Sequence, residues 1–304
     1  MGTATAFAPG HLTGLFQICD QAANPLHKGA RGSGVSLDLG VYTTVTAKPT
    51  DATSWTIKIN GKQTDGAFVS ENVLYKFAPN LKPQAITVEH HVETPIVAGF
   101  GSSGGGALSL ALALNKATEA GFSEVKAAQI AHVAEIESGT GLGSVFAAVR
   151  GGMGVLTKAG APGVGDAVSY SDQSSLRVVY LHFGPIPTKE ALRNPALRAK
   201  INELGGKYVD ELTKERDALK FMKLSRQFTE HVGLVTPKLR KVFDAMDAAG
   251  YTFTMAMFGE VAFSVQPKEK AEEAAKLLES SFPGCEPVVV GIDETGARIT
   301  SSSP

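Results

Sequence analysis

Eight residues, GFGSSGGG at 99–106, stand directly before ALSLALALNKATEAG, and this junction constrains the fold more than any other stretch. The second segment is rich in Ala and Leu, carries no proline, and runs to Gly121. It predicts a buried helix from Gly105 onward. The first places five glycines and two serines between Pro95 and that apolar run. Such a loop exposes backbone N–H groups at the positive end of a helix dipole, which favours a phosphate. A tight turn with no ligand is the alternative. Ser102 and Ser103 add hydroxyls for a phosphate or a magnesium ion. The string is not a P-loop, because no Gly-Lys-Ser/Thr follows, and it is not the dinucleotide fingerprint, because no parallel βαβ unit surrounds it.

Around this junction the pattern reads as strands, then helices. TATAFA (3–8) alternates and predicts a strand ended by Pro9 and Gly10. Residues 34–48 read as one or two half-buried strands, and 84–93 as another. Asn60-Gly61 within WTIKINGKQ (55–63) is the best hairpin signal in the chain. Ser123 caps a second helix over 123–138. Regular pattern lapses over 150–175, which places a domain boundary near 165–172 and predicts domains over 1–168 and 169–304. Beyond it come a strand (176–183) and a helical block with members at 218–233 and 236–250. Residues 252–258, 261–265, 268–282 and 286–292 then read β, β, α, β, the back end of a split βαβ sandwich.

Composition narrows the function classes. A net charge of −1 over 304 residues points to neither nucleic acid nor an acidic membrane surface. No apolar run reaches the ~20 residues of a membrane span, and MGTATAFAPG does not read as a secretory signal. Two distant cysteines, Cys19 and Cys285, form neither a disulfide framework nor a metal set. A cytoplasmic protein is expected, and a homodimer stays open.

Three segments occur in order on strand–loop–helix contexts: APGHLTGLF (8–16), PIVAGFGSSGGGAL (95–108) and GTGLGSVFAAVRGG (139–152). Together they resemble the GHMP small-molecule kinases. That family's phosphate loop reads Pro-x-x-x-Gly-Leu-Gly-Ser-Ser, matched here by Pro95, Gly99, Phe100, Gly101, Ser102 and Ser103 with one aromatic replacement. Residues 24–45 and 184–205 are similar to the archaeal branch that phosphorylates pantoate for coenzyme A synthesis. The resemblance implies an α+β protein in two domains, ribosomal-S5-like then ferredoxin-like, with ATP and acceptor between them. The family's third motif falls on MAMFGEVAF (255–263), which keeps only Gly259.

The resemblance also implies roles. The phosphates of ATP are expected on the amides of Gly101, Ser102, Ser103, Gly104, Gly105 and Gly106, after the turn at Gly99. Magnesium is expected on Ser103 and Glu135, with Glu137 as the rival carboxylate. Pantoate needs a partner for its carboxylate, and a guanidinium fork supplies one. Arg31 is favoured for that role, with Lys28 in the same loop and Arg150 before Gly151-Gly152 as further cleft residues. His11 stands where several relatives direct a lysine at the acceptor hydroxyl. Many members place an aspartate seven residues before the Gly-Gly pair, and here that position is Ser144, which cannot act as a base. Base-free transfer, a non-catalytic nucleotide binder on the same fold, and acceptors such as mevalonate or homoserine all remain open at this point.

Overall fold

A computed structural model describes residues 2–186 and 193–303. The segment 184–205 that carried part of the resemblance is therefore described except at 187–192. Two antiparallel-dominated sheets and their helices make up an α+β fold, as expected.

The first sheet is built on two long strands, β1 (Gly2–Cys19) and β2 (Gly29–Pro49), paired over nearly their whole length. Beyond β2 lie β5 (Gln84–Val92), β3 (Ser54–Ile59) and β4 (Lys62–Gln63), with β3 parallel to β5. The Asn60-Gly61 hairpin forms between β3 and β4 with both residues at positive φ, as its turn type requires. β6 (Met153–Lys158) pairs with the first part of β2 and carries β7 (Asp166–Ser169) beyond it.

Pro9-Gly10 does not end β1. The strand continues through it with a register shift between Pro9 and His11. At the shift the His11 N–H leaves the β1–β2 ladder and donates instead to Phe100 O at 2.8 Å. The irregularity thereby ties the strand to the glycine loop.

Helices α1 (Phe68–Phe77), α2 (Ser102–Thr118), α3 (Glu124–Ser138) and α4 (Ser144–Arg150) cover this sheet. As its composition requires, α2 is buried through most of its length, from Gly104 to Leu114 without a break. It begins at Ser102, three residues before the expected start, because Gly101 at φ +65° supplies the turn into the helix. The Ser123 side chain accepts from the Lys126 N–H and starts α3. α1 and α4 were not legible in the sequence.

The second sheet has strand order β11-β8-β10-β9, where β8 is Leu176–Pro185, β9 Thr254–Met255, β10 Gly259–Pro267 and β11 Val288–Val290. In chain order that is 4-1-3-2, the ferredoxin-like arrangement. Helices α6 (Ala218–Val232), α7 (Pro237–Ala248) and α8 (Lys268–Ser281) accompany it, while α5 (Pro195–Lys214) packs against β1, β2 and β6 of the first sheet and against α6. Pro237 opens α7 and Gly250, at φ +81°, follows its end. The division expected near 168 falls inside β7 of the first sheet, and the second sheet begins with β8 at Leu176. The last strand crosses back: β12 (Arg298–Ser303) joins the first sheet along β1. The stretch expected as a strand over 252–258 shrinks to two residues, because the turn after Met255 packs on the glycine loop.

Candidate active site

A cleft of about 740 Å³ runs across the N-terminal end of α2. Gly101 begins the helix without a side-chain cap, so its first amides keep no acceptor within the helix. The Ser102 hydroxyl shares a hydrogen bond with Thr94 at 3.1 Å and Ser103 turns to Glu135, leaving the amides of Ser102, Ser103 and Gly104 at the helix mouth. The expected cradle over 101–106 is corrected at its far end. Gly105 N–H donates to Gly101 O at 2.9 Å, and Gly106 lies a further residue into the helix, so neither amide is free for a phosphate.

Phe100, the aromatic replacement in the loop, is 1% exposed and packs edge-on against Tyr180 of β8, centroids 5.0 Å apart. Its backbone carbonyl holds His11. The loop is thus fixed between the two sheets, and the larger ring fills the space that joins them.

Glu135 is 2% exposed, at the end of α3. One oxygen accepts from the Ser103 hydroxyl at 2.8 Å and the other from the Ser144 hydroxyl at 2.5 Å. Burial pushes its carboxyl above the ordinary carboxylate range, against the lowering effect of both serines and the Val145 N–H. Glycines make this packing possible. A Cβ on Gly104 would stand 2.5 Å from Ser144 Oγ and 2.9 Å from Glu135 Oε2, and one on Gly141 would stand 2.5 Å from Glu135 Oε1. Glu137 also lines the cleft, but its carboxylate is engaged: Lys76 pairs with it at 2.7 Å and Asn72 donates to it. Two positions apart on a helix, the two carboxylates point about 200° apart, so only Glu135 meets Ser103.

His11 is half-buried on the cleft wall, its Nδ1 3.2 Å from Ser36 Oγ. Burial lowers its pKa to about 4, so the ring is neutral at physiological pH. His90, 3% exposed beneath α2, is likewise lowered to about 4 by burial. It bridges Thr43 Oγ1 at 2.7 Å and Ser70 Oγ at 3.0 Å. A histidine whose folded pKa lies below its ordinary 6.5 supports the fold above pH 6.5 and withdraws that support as pH falls towards 4. For His90 the loss between pH 7 and pH 4 is about 3 kcal/mol. Urea unfolding at the two pH values should show it, and His90→Gln should flatten that part of the slope.

The three expected acceptor cations lie away from the cleft. Arg31 is bound on all sides: Nε donates to Thr157 O at 2.8 Å, one terminal nitrogen to Gln17 at 3.0 Å, and the other pairs with Asp210 of α5. It fastens the first sheet to α5. Arg150 donates to Ser169 of β7 at 2.9 Å, and Lys28 offers its carbonyl to His132 Nε2 at 3.0 Å without lining the cleft. Arg31→Ala should therefore lower stability by about 1–2 kcal/mol in thermal or urea melts, with the KM for the acceptor unchanged.

The cleft that His11 and Ser144 line is instead also walled by Thr13, Phe16, Ser33, Leu142, Leu156 and the Met257-Phe258 turn. Only the paired glycines Gly32 and Gly34 hinted at this in the sequence, since period-2 glycine in a strand marks a close approach. A Cβ on Gly34 would meet His11 Nε2 at 2.4 Å.

Known proteins share this architecture. The GHMP kinases N terminal domain matches residues 68–152, which include the glycine loop, Glu135 and Ser144. Pantoate kinase of Thermococcus kodakarensis is 33% identical over 280 residues, covering 90% of this chain and 91% of that protein. Pantoate kinase of Methanocaldococcus jannaschii is 31% identical over 276 residues, covering 90% and 97%. A solved phosphotransferase related to the CoA biosynthesis pathway superposes with a TM-score of 0.89 at 29% identity, covering 98% of each chain. Homoserine kinase of Cytophaga hutchinsonii, at 17% identity and a TM-score of 0.70 over 98% of this chain and 97% of its own, shares the fold. A glycine loop opening a buried helix, a carboxylate held by two serines behind it, and full-length likeness at this identity together make the chain a member of the pantoate kinase family of the GHMP kinases.

Proposed function

We propose that the protein transfers the γ-phosphoryl group of ATP to the 4-hydroxyl of pantoate, in the cytoplasm and with no nucleic acid or membrane partner. The observation that carries this reading is the junction of uncapped amides at α2 with the Ser103–Glu135–Ser144 set. The amides of Ser102 to Gly104 receive phosphate oxygens at the positive end of the helix. Among the described residues no group of three or more His, Cys, Asp or Glu could hold a metal by itself. One buried carboxylate and one serine hydroxyl nonetheless suit magnesium, which keeps water and phosphate oxygens among its ligands. When bound at Ser103 and Glu135 the ion would neutralise phosphate charge.

The remaining chemistry belongs to this chain's side chains. Ser144 carries no base, but its hydroxyl donates to Glu135 Oε2 and fixes the direction of that carboxylate. Neutral His11 faces the acceptor end, where it orients the hydroxyl by a hydrogen bond. A loose phosphoryl-transfer transition state asks for alignment more than for a strong base. Ser144→Ala tests that positioning role. With a buried carboxylate as partner, losing a hydrogen bond to a charged group should lower kcat by about 10- to 100-fold.

The testing experiment is an ADP-release assay with Mg-ATP and pantoate, mevalonate or homoserine. Turnover with pantoate alone is expected. Nucleotide binding with no turnover of any acceptor overturns the proposal.

A further inference from the structure

The turn between β9 and β10 carries a strained residue that the reaction as described does not use. Phe258 has φ +63°, a left-handed conformation that bulky side chains avoid. Its neighbours hold it there. Met257 N–H donates to Thr13 O at 3.0 Å, and Gly259 N–H donates to Ala256 O at 3.1 Å. Gly259 presses on the glycine loop so closely that a Cβ there would stand 1.9 Å from Ala98 O. Phe258 is 6% exposed and Met257 5%, and both line the cleft. The Phe258 ring meets Phe16 edge-on, centroids 5.7 Å apart and planes at 74°. Backbone strain that the surroundings over-determine marks a functional position. What it achieves here is placement of two large apolar residues in the lining of the cleft, Phe258 against Phe16 and Met257 against Thr13, two residues along β1 from His11.

We propose that Met257 and Phe258 select the acceptor: with Phe16 they form a dry wall that receives the branched hydrocarbon body of a short hydroxy acid and discriminates against straight-chain ones. This rests on the kinase reading above. Pantoate carries two methyl groups on the carbon between its hydroxyl-bearing carbons, and those methyls are the part of the molecule that gains from leaving water.

The test compares pantoate with 2,4-dihydroxybutanoate, which has the same hydroxyls and carboxylate but lacks both methyls. Burying two methyl groups should give the wild type a preference for pantoate of about tenfold or more in kcat/KM. Met257→Ala and Phe258→Ala should reduce it to about threefold or less, with the KM for ATP within about twofold. Phe258→Leu keeps an apolar side chain in place and serves if the alanine variant melts early; an intermediate preference is expected. Where an acceptor binds without turnover, the same ratios are read from calorimetric Kd values. Turnover of pantoate with an unchanged preference in folded variants overturns the inference and leaves the kinase reading intact, as does a wild type indifferent to the methyls. A wild type that neither binds nor phosphorylates either acid overturns both.

Discussion

Glu135→Gln is expected to lower kcat with Mg-ATP and pantoate by about 10²–10³-fold, the range typical of removing one pre-aimed electrostatic group from an enclosed site. Glutamine keeps the size and the acceptance from Ser103, but it removes the negative charge and turns an NH₂ group towards one of the two serines. Metal-free nucleotide binding, which depends on the amides of α2, should change little. Stability provides a second readout. Burial raises the Glu135 pKa, so the folded state binds its proton more readily than the unfolded state does. The fold is therefore favoured at low pH and loses support as pH rises from the ordinary carboxylate range through the raised value. Glutamine lacks that loss, and the variant should gain stability relative to the parent as pH increases. Glu137→Gln, at a carboxylate paired with Lys76, should stay within about twofold of parental turnover. If Glu137→Gln proves the damaging change, the magnesium assignment is wrong.

Gly104→Ala is expected to reduce turnover by about 100-fold or more, although alanine is the better helix former. The new Cβ would stand 2.5 Å from Ser144 Oγ and 2.9 Å from both Ser144 Cβ and Glu135 Oε2, distances at which something must move. The movable groups are the two that fix the site, and displacements of about 1 Å in such a constellation cost on the order of 10²-fold. Two residues on, Gly106→Ala brings its Cβ no closer than 3.8 Å to His90 and should stabilise the protein by up to about 1 kcal/mol, with activity retained. The contrast separates approach from helix propensity. Equal activity of the two variants would remove Gly104 from the account of the site.

Local signals carried much of this in the sequence. Proline before glycines before an apolar run marked α2 and its uncapped mouth, Asn60-Gly61 marked a hairpin, and Ser123 and Pro237 marked two helix starts. The pair Ser103 and Glu135 was legible through resemblance, and the structure brings them to 2.8 Å. What failed was long-range. Nothing near Pro9-Gly10 shows that His11 will bond to Phe100 and let the strand continue. Arg31 stands in a glycine-rich stretch between Gly29 and Gly32, a setting that suggested a ligand, yet its partners are 14, 126 and 179 residues away. The apolar wall of the cleft is gathered from β1, the loop before α4, β6 and the turn after β9, so no window of the sequence contains it. Gly104 looked like one more glycine of a flexible loop because its reason, a serine 40 positions later, is tertiary.

The return of β12 to the first sheet has a consequence for how the molecule is made. β1 lies between β2 and β12, pairing with β12 from Thr3↔Ser303 to Phe7↔Arg298. During synthesis β2 follows β1 at once, but the other edge of β1 over residues 3–7 waits for residues 298–303 to leave the ribosome. Until then a row of unpaired backbone groups faces the crowded cell, at a time when unpaired edges recruit other chains. Arg298, seated 4.8 Å over the ring of Phe7 and paired with buried Asp293, secures the strand that closes this gap. A nascent chain stalled before residue 298 would have the cleft residues already made and an adhesive border still open. Its main hazard would be aggregation, with the chemistry of the site intact but out of reach.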